Sequence, residues 1–231
     1  MGRLTQMREI IFASKDNMWS NYLFKSLNGI YPNMFRVYEQ KELQFLNLSK
    51  ISHIFFFHWS EIVPPEIYEN CECAVIHTAK LPQGRGGSPL QNQIIDGVLQ
   101  SRVNLLKMAK EIDAGPIYCS SPITLQGSLF DIWFSIATIS KKLITDCIEK
   151  SLKPIEQLSS IEKVYRRRKD NILPLDNKNT HAIYNFIQML DAEGYPDANI
   201  NVGNYSLFFS RAKMLNEDEI ICDVKIKRKD L

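Results

Sequence analysis

No apolar run in this 231-residue sequence approaches the roughly 20 residues that a membrane-spanning helix needs, and the stretch from Met1 to Glu9 carries no signal-peptide core. A cytoplasmic protein without membrane contact is the expectation. Nor is there an excess of one charge: 28 Lys and Arg stand against 26 Asp and Glu, a formal +2, which supplies no overall attraction to nucleic acid. A nucleic-acid partner is therefore not expected. Cysteine is sparse and unpatterned, since Cys71, Cys73, Cys119, Cys147 and Cys222 form an odd set in a chain large enough to fold without disulfides. Cys71 and Cys73 make a C-x-C pair, but no second Cys or His pair stands at zinc-finger spacing, so reduced thiols and no metal are expected. Internal repeats and low-complexity tracts are missing as well.

What is present is a chain 45% hydrophobic and 23% charged, enough for one sizeable core. Arg8 to Ala13 reads as a strand, Ser14 to Asn17 as a polar turn, and Trp19 to Leu27 as a helix with apolar residues at helical spacing. The unbroken runs in Ser52 to His58 and Ala74 to Ile76 suit strands buried on both faces. Pro64-Pro65 between them suits a helix start. Pro89 to Gly97 reads as a helix, Arg102 to Met108 as a strand, and Leu129 to Leu152 as one long amphipathic helix ended by Lys153-Pro154. Alternating strands and helices predict an α/β, Rossmann-like, doubly wound and mainly parallel sheet, with ligands outside the carboxyl ends of its strands. A polar stretch from Glu156 to Asn179 contains Arg166-Arg167-Arg168-Lys169. Beyond it, a helix from Thr180, itself the expected N-cap, and several short strands over 198–226 predict a small C-terminal α+β unit. The division is residues 1–155 as a catalytic domain and 156–231 as linker and subdomain.

The chemistry concentrates in three places: Val75-Ile76-His77 leading to Leu81-Pro82, then Arg85-Gly86-Gly87-Ser88-Pro89-Leu90-Gln91, then Asp113-Ala114-Gly115-Pro116-Ile117. Alone, His77 is a core or loop histidine as readily as a catalyst, and Asp113 is as readily a turn former. Together, 36 positions apart, they resemble the core of the folate-dependent formyltransferases over roughly residues 50–125. That resemblance implies a Rossmann-like catalytic domain that transfers the formyl group of 10-formyltetrahydrofolate to an amine, without a metal. Such a transfer needs donors aimed at a developing oxyanion and an acceptor for the amine proton. His77 and Asp113 are the implied pair, the carboxylate orienting the imidazole and drawing off the proton.

The same resemblance places the folate-binding loops at Trp59 to Val63 and Lys110 to Asp113, and so assigns Trp59, Ile62, Lys110 and Ile112 to the cofactor. Arg85, Gly86 and Gly87 join them as a donor and two positions of close backbone approach, with a plain flexible turn as the competing reading. One departure stands out, because the family carries Asn two residues before its histidine and this chain carries Val75. Asn92 or Gln91 could replace the missing donor, or His77 could act without it. The segment Tyr165 to Arg168, with Ile183 to Leu190 and Gly194-Tyr195-Pro196, resembles the region after the catalytic domain in nucleotide-sugar N-formyltransferases. A nucleotide-linked amino-deoxysugar, such as a UDP-4-amino-4,6-dideoxy sugar of a pseudaminic-acid-type pathway, is therefore the expected acceptor. Tyr184, Phe186 and Tyr195 could stack on its base, and Arg166 to Arg168 could meet its diphosphate; core packing and a solvated linker are the alternatives. Methionyl-tRNA formyltransferase, glycinamide ribonucleotide formyltransferase and a non-catalytic folate-binding relative are the other readings.

Overall fold

The computed structural model describes residues 8–158, 163–176 and 179–229. Most of the amino-terminal stretch read above for a signal-peptide core, residues 1–7, lies outside them. In chain order the elements are β1 Glu9–Ser14, α1 Met18–Asn28, β2 Met34–Val37, α2 Gln40–Leu43, β3 Ile51–Phe57, α3 Pro65–Tyr68, β4 Glu72–Thr78 and β5 Arg85–Gly86. There follow α4 Pro89–Ile95, β6 Gln100–Lys107, β7 Ile117–Thr124, α5 Leu129–Lys150, β8 Val164–Tyr165, α6 Thr180–Gln188, β9 Ala198–Val202, β10 Tyr205–Met214 and β11 Ile220–Arg228.

The main sheet runs β2-β1-β3-β4-β6-β7. Its first four strands are parallel, and β6 is antiparallel to both β4 and β7, so the sheet is mainly parallel as expected, with β6 alone reversed. Alternate residues of each strand feed two cores. Phe12, Phe55, Phe57, Ala74 and Leu105 face α1 and α5, and Ile11, Ala13, Ile54, Phe56 and Cys73 form the second core on the opposite face with Leu43 of α2 and Ile67 of α3. Period-two alternation with both faces covered explains why these strands read as continuous apolar runs.

Local capping sets the helices. The Asn17 side chain accepts from the Ser20 amide at 2.9 Å and the Ser128 hydroxyl from the Asp131 amide at 3.1 Å, each satisfying a donor that the first turn leaves open. Thr180 is the first residue of α6 and not its cap; Asn179 occupies that position and accepts from the Ala182 amide. Asn and Thr are both good caps, so adjacent candidates leave the sequence ambiguous by one residue.

Two strands of the main sheet escaped the sequence reading, as did the two-residue strands β5 and β8. β2 is four residues long, and β7 carries Ser120, Ser121 and Pro122 where a strand pattern would be apolar. β7 is the edge of the sheet, the one place where proline's missing donor goes unfelt.

Beyond residue 156 the chain forms α6 and the antiparallel sheet β11-β10-β9. Leu173, Phe186, Ile187, Met189, Leu190 and Ala198 pack into the same core as Phe12 and Phe57, so this part is fastened to the main sheet by shared apolar burial. Among the described residues no helix is long and apolar enough to cross a membrane.

Candidate active site

His77 sits one residue from the end of β4. Its strand alternates Cys73 and Val75 toward the second core and Ala74 and Ile76 toward the first, so His77 falls on the side of Cys73 and Val75. The loop between β6 and β7 crosses that side. It is pinned at both ends, by the Met108 amide donating to the Cys73 carbonyl and the Lys107 amide to the Pro116 carbonyl, each at 2.8 Å. At its tip Asp113 adopts a left-handed conformation, φ 55°, and brings a carboxylate oxygen to 3.3 Å from His77 Nδ1. The two residues that the motif spacing paired are in contact.

The pair is enclosed. His77 is 6% exposed, and its Nε2 lies 3.0 Å from the Gly84 carbonyl. Both ring partners are acceptors only, so the two contacts are satisfied together when both nitrogens carry hydrogen. The other Asp113 oxygen accepts from the Gly86 amide at 3.0 Å. Burial opposes ionisation of this carboxyl more than any other single influence, yet His77, the Gly86 amide and the charge of Arg85 together hold its pKa below the usual value. Asp113 is thus a carboxylate at neutral pH.

Three residues that the sequence did not single out hold this geometry. Gln157 accepts from Arg85 Nε at 3.1 Å and Nη2 at 2.7 Å and donates to the Asp113 and Gly115 carbonyls, both at 2.8 Å. It therefore clamps the aspartate loop to the glycine-rich loop. Asn104, opposite His77 on β6, donates to the carbonyls of His77 at 3.2 Å and Ala79 at 2.8 Å, and Gln93 donates to the Thr78 carbonyl at 2.7 Å. A lone Asn inside Val103-Asn104-Leu105-Leu106 was a readable signal, since a polar residue in a buried strand needs partners. Gln157, in a polar stretch, gave none. Gln157→Ala should lower stability by about 1–3 kcal/mol, because it strips a buried guanidinium and two carbonyls of their partners; urea denaturation of the variant against the parent measures this.

The remaining expectations fall as follows. Arg85 is buried with its guanidinium on Gln157. The room left by Gly86 and Gly87 is taken by the chain itself: a Cβ at Gly86 would collide with the Tyr165 carbonyl and one at Gly87 would lie 2.7 Å from the Arg167 amide. The close approach seen here is to Tyr165 at the end of β8 and to Arg167 just beyond it. Trp59 packs on Phe56 with ring centroids 5.6 Å apart, and its buried indole nitrogen has no partner among the described residues. Ile62 and Ile112 are 69% and 62% exposed, and Lys110 is exposed. Asn92 does not supply the donor missing at Val75, because its amide nitrogen already donates to the carbonyls of Gly87, Ser88 and Arg166 at 2.9–3.0 Å. Gln91 is buried with its amide nitrogen unpartnered. Arg168 is held by Asn92 and Asp170, while Arg166 and Arg167 are exposed beside the glycine-rich loop. Phe186 is core, Tyr184 is partly buried, and the Tyr195 hydroxyl lies 3.3 Å from His58 Nε2. Among the described residues no group of three or more His, Cys, Asp or Glu is placed to hold a metal ion.

Comparison with known proteins gives the arrangement a context. Residues 168–227 match the model of the C-terminal domain of methionyl-tRNA formyltransferase. A methionyl-tRNA formyltransferase from Malacoplasma penetrans is 27% identical over 194 residues, 79% of this chain and 58% of its own length. The chain spans about half the length of the curated relatives it matches. Among solved structures, a Mycobacterium tuberculosis protein described as a likely sugar N-formyltransferase is 18% identical, covers 84% of this chain and 91% of its own, and has a TM-score of 0.68; at that identity it shows the fold alone. A methionyl-tRNA formyltransferase from Clostridium thermocellum is similar throughout, at 33% identity, a TM-score of 0.88, and coverage of 95% of this chain and 99% of its own. With that similarity along nearly its whole length, the chain belongs to the folate-dependent formyltransferase family.

Proposed function

We propose that this protein transfers the formyl group of 10-formyltetrahydrofolate to the primary amine of a phosphate-bearing acceptor, with His77 and Asp113 at the reaction centre. The observation that carries the reading is the contact between these two side chains, held by Gly86 and Gln157. Bound folate supplies the one-carbon unit as an activated amide. Exposed Ile62 and Ile112, and the Trp59 indole nitrogen that has no partner among the described residues, suit a flat heterocycle with apolar faces and acceptor atoms. The chain's own groups supply the rest. The Asp113 carboxylate orients the imidazole and accepts the proton that leaves the attacking amine, and the His77 Nε2 hydrogen stabilises negative charge on the formyl oxygen. For that hydrogen to be offered, the Gly84 carbonyl has to release it, so the segment 79–87 moves in this reading.

For the acceptor, exposed Arg166 and Arg167 near the centre suit phosphate. The match of residues 168–227 favours methionyl-tRNA, and the nucleotide-linked aminosugar expected from the sequence is the second acceptor, supported by likeness of fold. Non-catalytic folate binding has its own supporting observations: Val75 in place of a donor, and both ring nitrogens of His77 engaged. Release of tetrahydrofolate is followed with methionyl-tRNA and with UDP- and dTDP-aminosugars. The proposal expects kcat/KM of about 10⁴ M⁻¹s⁻¹ or more with one of them. Folate binding without turnover on either would replace transfer by binding.

A further inference from the structure

Outside the His77 and Asp113 pair, the most unusual group of side chains lies where β1 and β3 end. His58 follows β3 in a left-handed conformation, φ 49°, uncommon for a residue other than glycine, although His adopts it more readily than most. The turn swings its ring against Trp133 and Trp19, centroids 4.7 and 5.9 Å away, both edge-on. Asn17 fixes the tautomer. Its Oδ1 is taken by the Ser20 amide, so its Nδ2 donates to His58 Nδ1 at 3.0 Å, which leaves the hydrogen on Nε2, directed at the Tyr195 hydroxyl.

Three donors stand about that hydroxyl: His58 Nε2, the Gln91 amide and the Trp133 indole. The Gln91 amide and the Trp133 indole lie close enough to the phenol oxygen to favour its ionised form, although burial outweighs them and pushes its pKa up to about 12. Neither makes a hydrogen bond of ordinary geometry: Gln91 Nε2, Trp133 Nε1 and Trp19 Nε1 are all buried without partners among the described residues. Trp19 is 0% and Gln91 6% exposed, so leaving their donors unmatched is costly. Shape alone explains the Trp19–Trp133 stack, with centroids 5.5 Å apart; it does not explain a buried amide nitrogen without a partner among the described residues. His58 and Tyr195 are only partly buried, so solvent reaches the group at these two residues. β3 and β4 are paired neighbours, so His58 follows the strand next to the one that carries His77, with its ring turned toward Trp19 and Trp133.

We infer that this group recognises an uncharged oxygen, a carbonyl or a hydroxyl, of the amine-bearing acceptor. The donors of Tyr195, Gln91 and Trp133 are neutral, and burial together with the charge of Lys15 keeps His58 neutral, its pKa lowered to about 4. Lys15 is itself paired with Glu61. Glu193, which accepts from the Met18 amide at 3.3 Å, sets a carboxylate at the start of α1, where an anionic ligand would otherwise gain from the helix. The ester carbonyl of an aminoacyl group and a hydroxyl of an aminosugar share the required chemistry.

The inference rests on the formyl-transfer reading for the identity of the ligand, and its test is independent of turnover. The indole N–H resonances of the ¹⁵N-labelled protein are followed by NMR during titration with methionine methyl ester in one arm and a methyl 4-amino-4,6-dideoxyglycoside in the other. Trp19 and Trp133 should shift and saturate with one probe, which names the source of the oxygen. Tyr195→Phe, isosteric and still folded by its melting curve, should weaken that binding roughly tenfold, the loss of one buried hydrogen bond. Saturation without any formyl transfer by the wild type sinks the transfer reading and leaves the recognition standing. Both indole signals unmoved by either probe, or binding unchanged in Tyr195→Phe, overturns the inference.

Discussion

Asp113→Asn is expected to lower kcat by about 10²–10⁴-fold, the range that a positioned acid or base contributes, while folate affinity changes little. The carboxylate is the group that His77 Nδ1 and the Gly86 amide both address. An amide of the same shape keeps one acceptor and loses the charge and the base. Single-turnover kinetics with saturating folate separate the effects, since loss of a transition-state interaction lowers kcat and kcat/KM together. An unchanged kcat would remove Asp113 from the chemistry. The same variant has a stability signature. The folded pKa of Asp113 lies below its unfolded value, so its contribution is complete above the ordinary carboxylate range and is lost as pH falls through the folded value. Asn at this position should flatten that part of the acid limb in urea denaturation.

Gly115→Ala is expected to be the most damaging single methyl group in the molecule, costing about 3 kcal/mol or more of stability. A Cβ at this position would overlap the Lys107 carbonyl oxygen, and main-chain atoms cannot rotate away as a side chain can. Overpacking against movable neighbours already costs about 1–3 kcal/mol. Relief requires the loop to lift from β6, which would strain the bond between the Lys107 amide and the Pro116 carbonyl and carry Asp113 away from His77. Activity should therefore fall with stability. A control, Gly97→Ala, meets no atom within 4 Å and is burdened only by its positive φ of 71°, so it should lose much less. Equal denaturation midpoints for the two variants would show that close approach at Gly115 is not what this loop depends on.

Particular residues show what could be read in advance. The contact of His77 with Asp113 was legible because their motifs, with flanking Leu-Pro and Gly-Pro steps that mark a strand end and a tight loop, resemble the formyltransferase core. Phe186 was legible as core from helical spacing. The positions that mislead are those whose role depends on a partner far along the chain. Asn92 had the right chemistry and the right vicinity for an oxyanion donor, but the carbonyl of Arg166, 74 residues away, claims its amide. Gly86 and Gly87 announced a close approach without saying to what, and the answer is Tyr165 and Arg167. Gln157 had no local signature at all, although it links Arg85 to the aspartate loop.

By itself the sequence determined the alternation of strands and helices and the two-faced burial of β3 and β4, and its motifs singled out His77 and Asp113 as the candidate pair. The first two follow from hydrophobic periodicity, a local property, and the third from the resemblance of three short motifs to the formyltransferase core. Only the tertiary structure decided that β6 runs antiparallel to β4 and β7, that α6 and its neighbours share the main core, that the His77 ring is closed over by Gly84, and that His58 turns its ring toward Tyr195. Each of these depends on which distant backbone group reaches a donor or acceptor first. A buried polar atom must find some partner, and the sequence states that requirement without stating the partner.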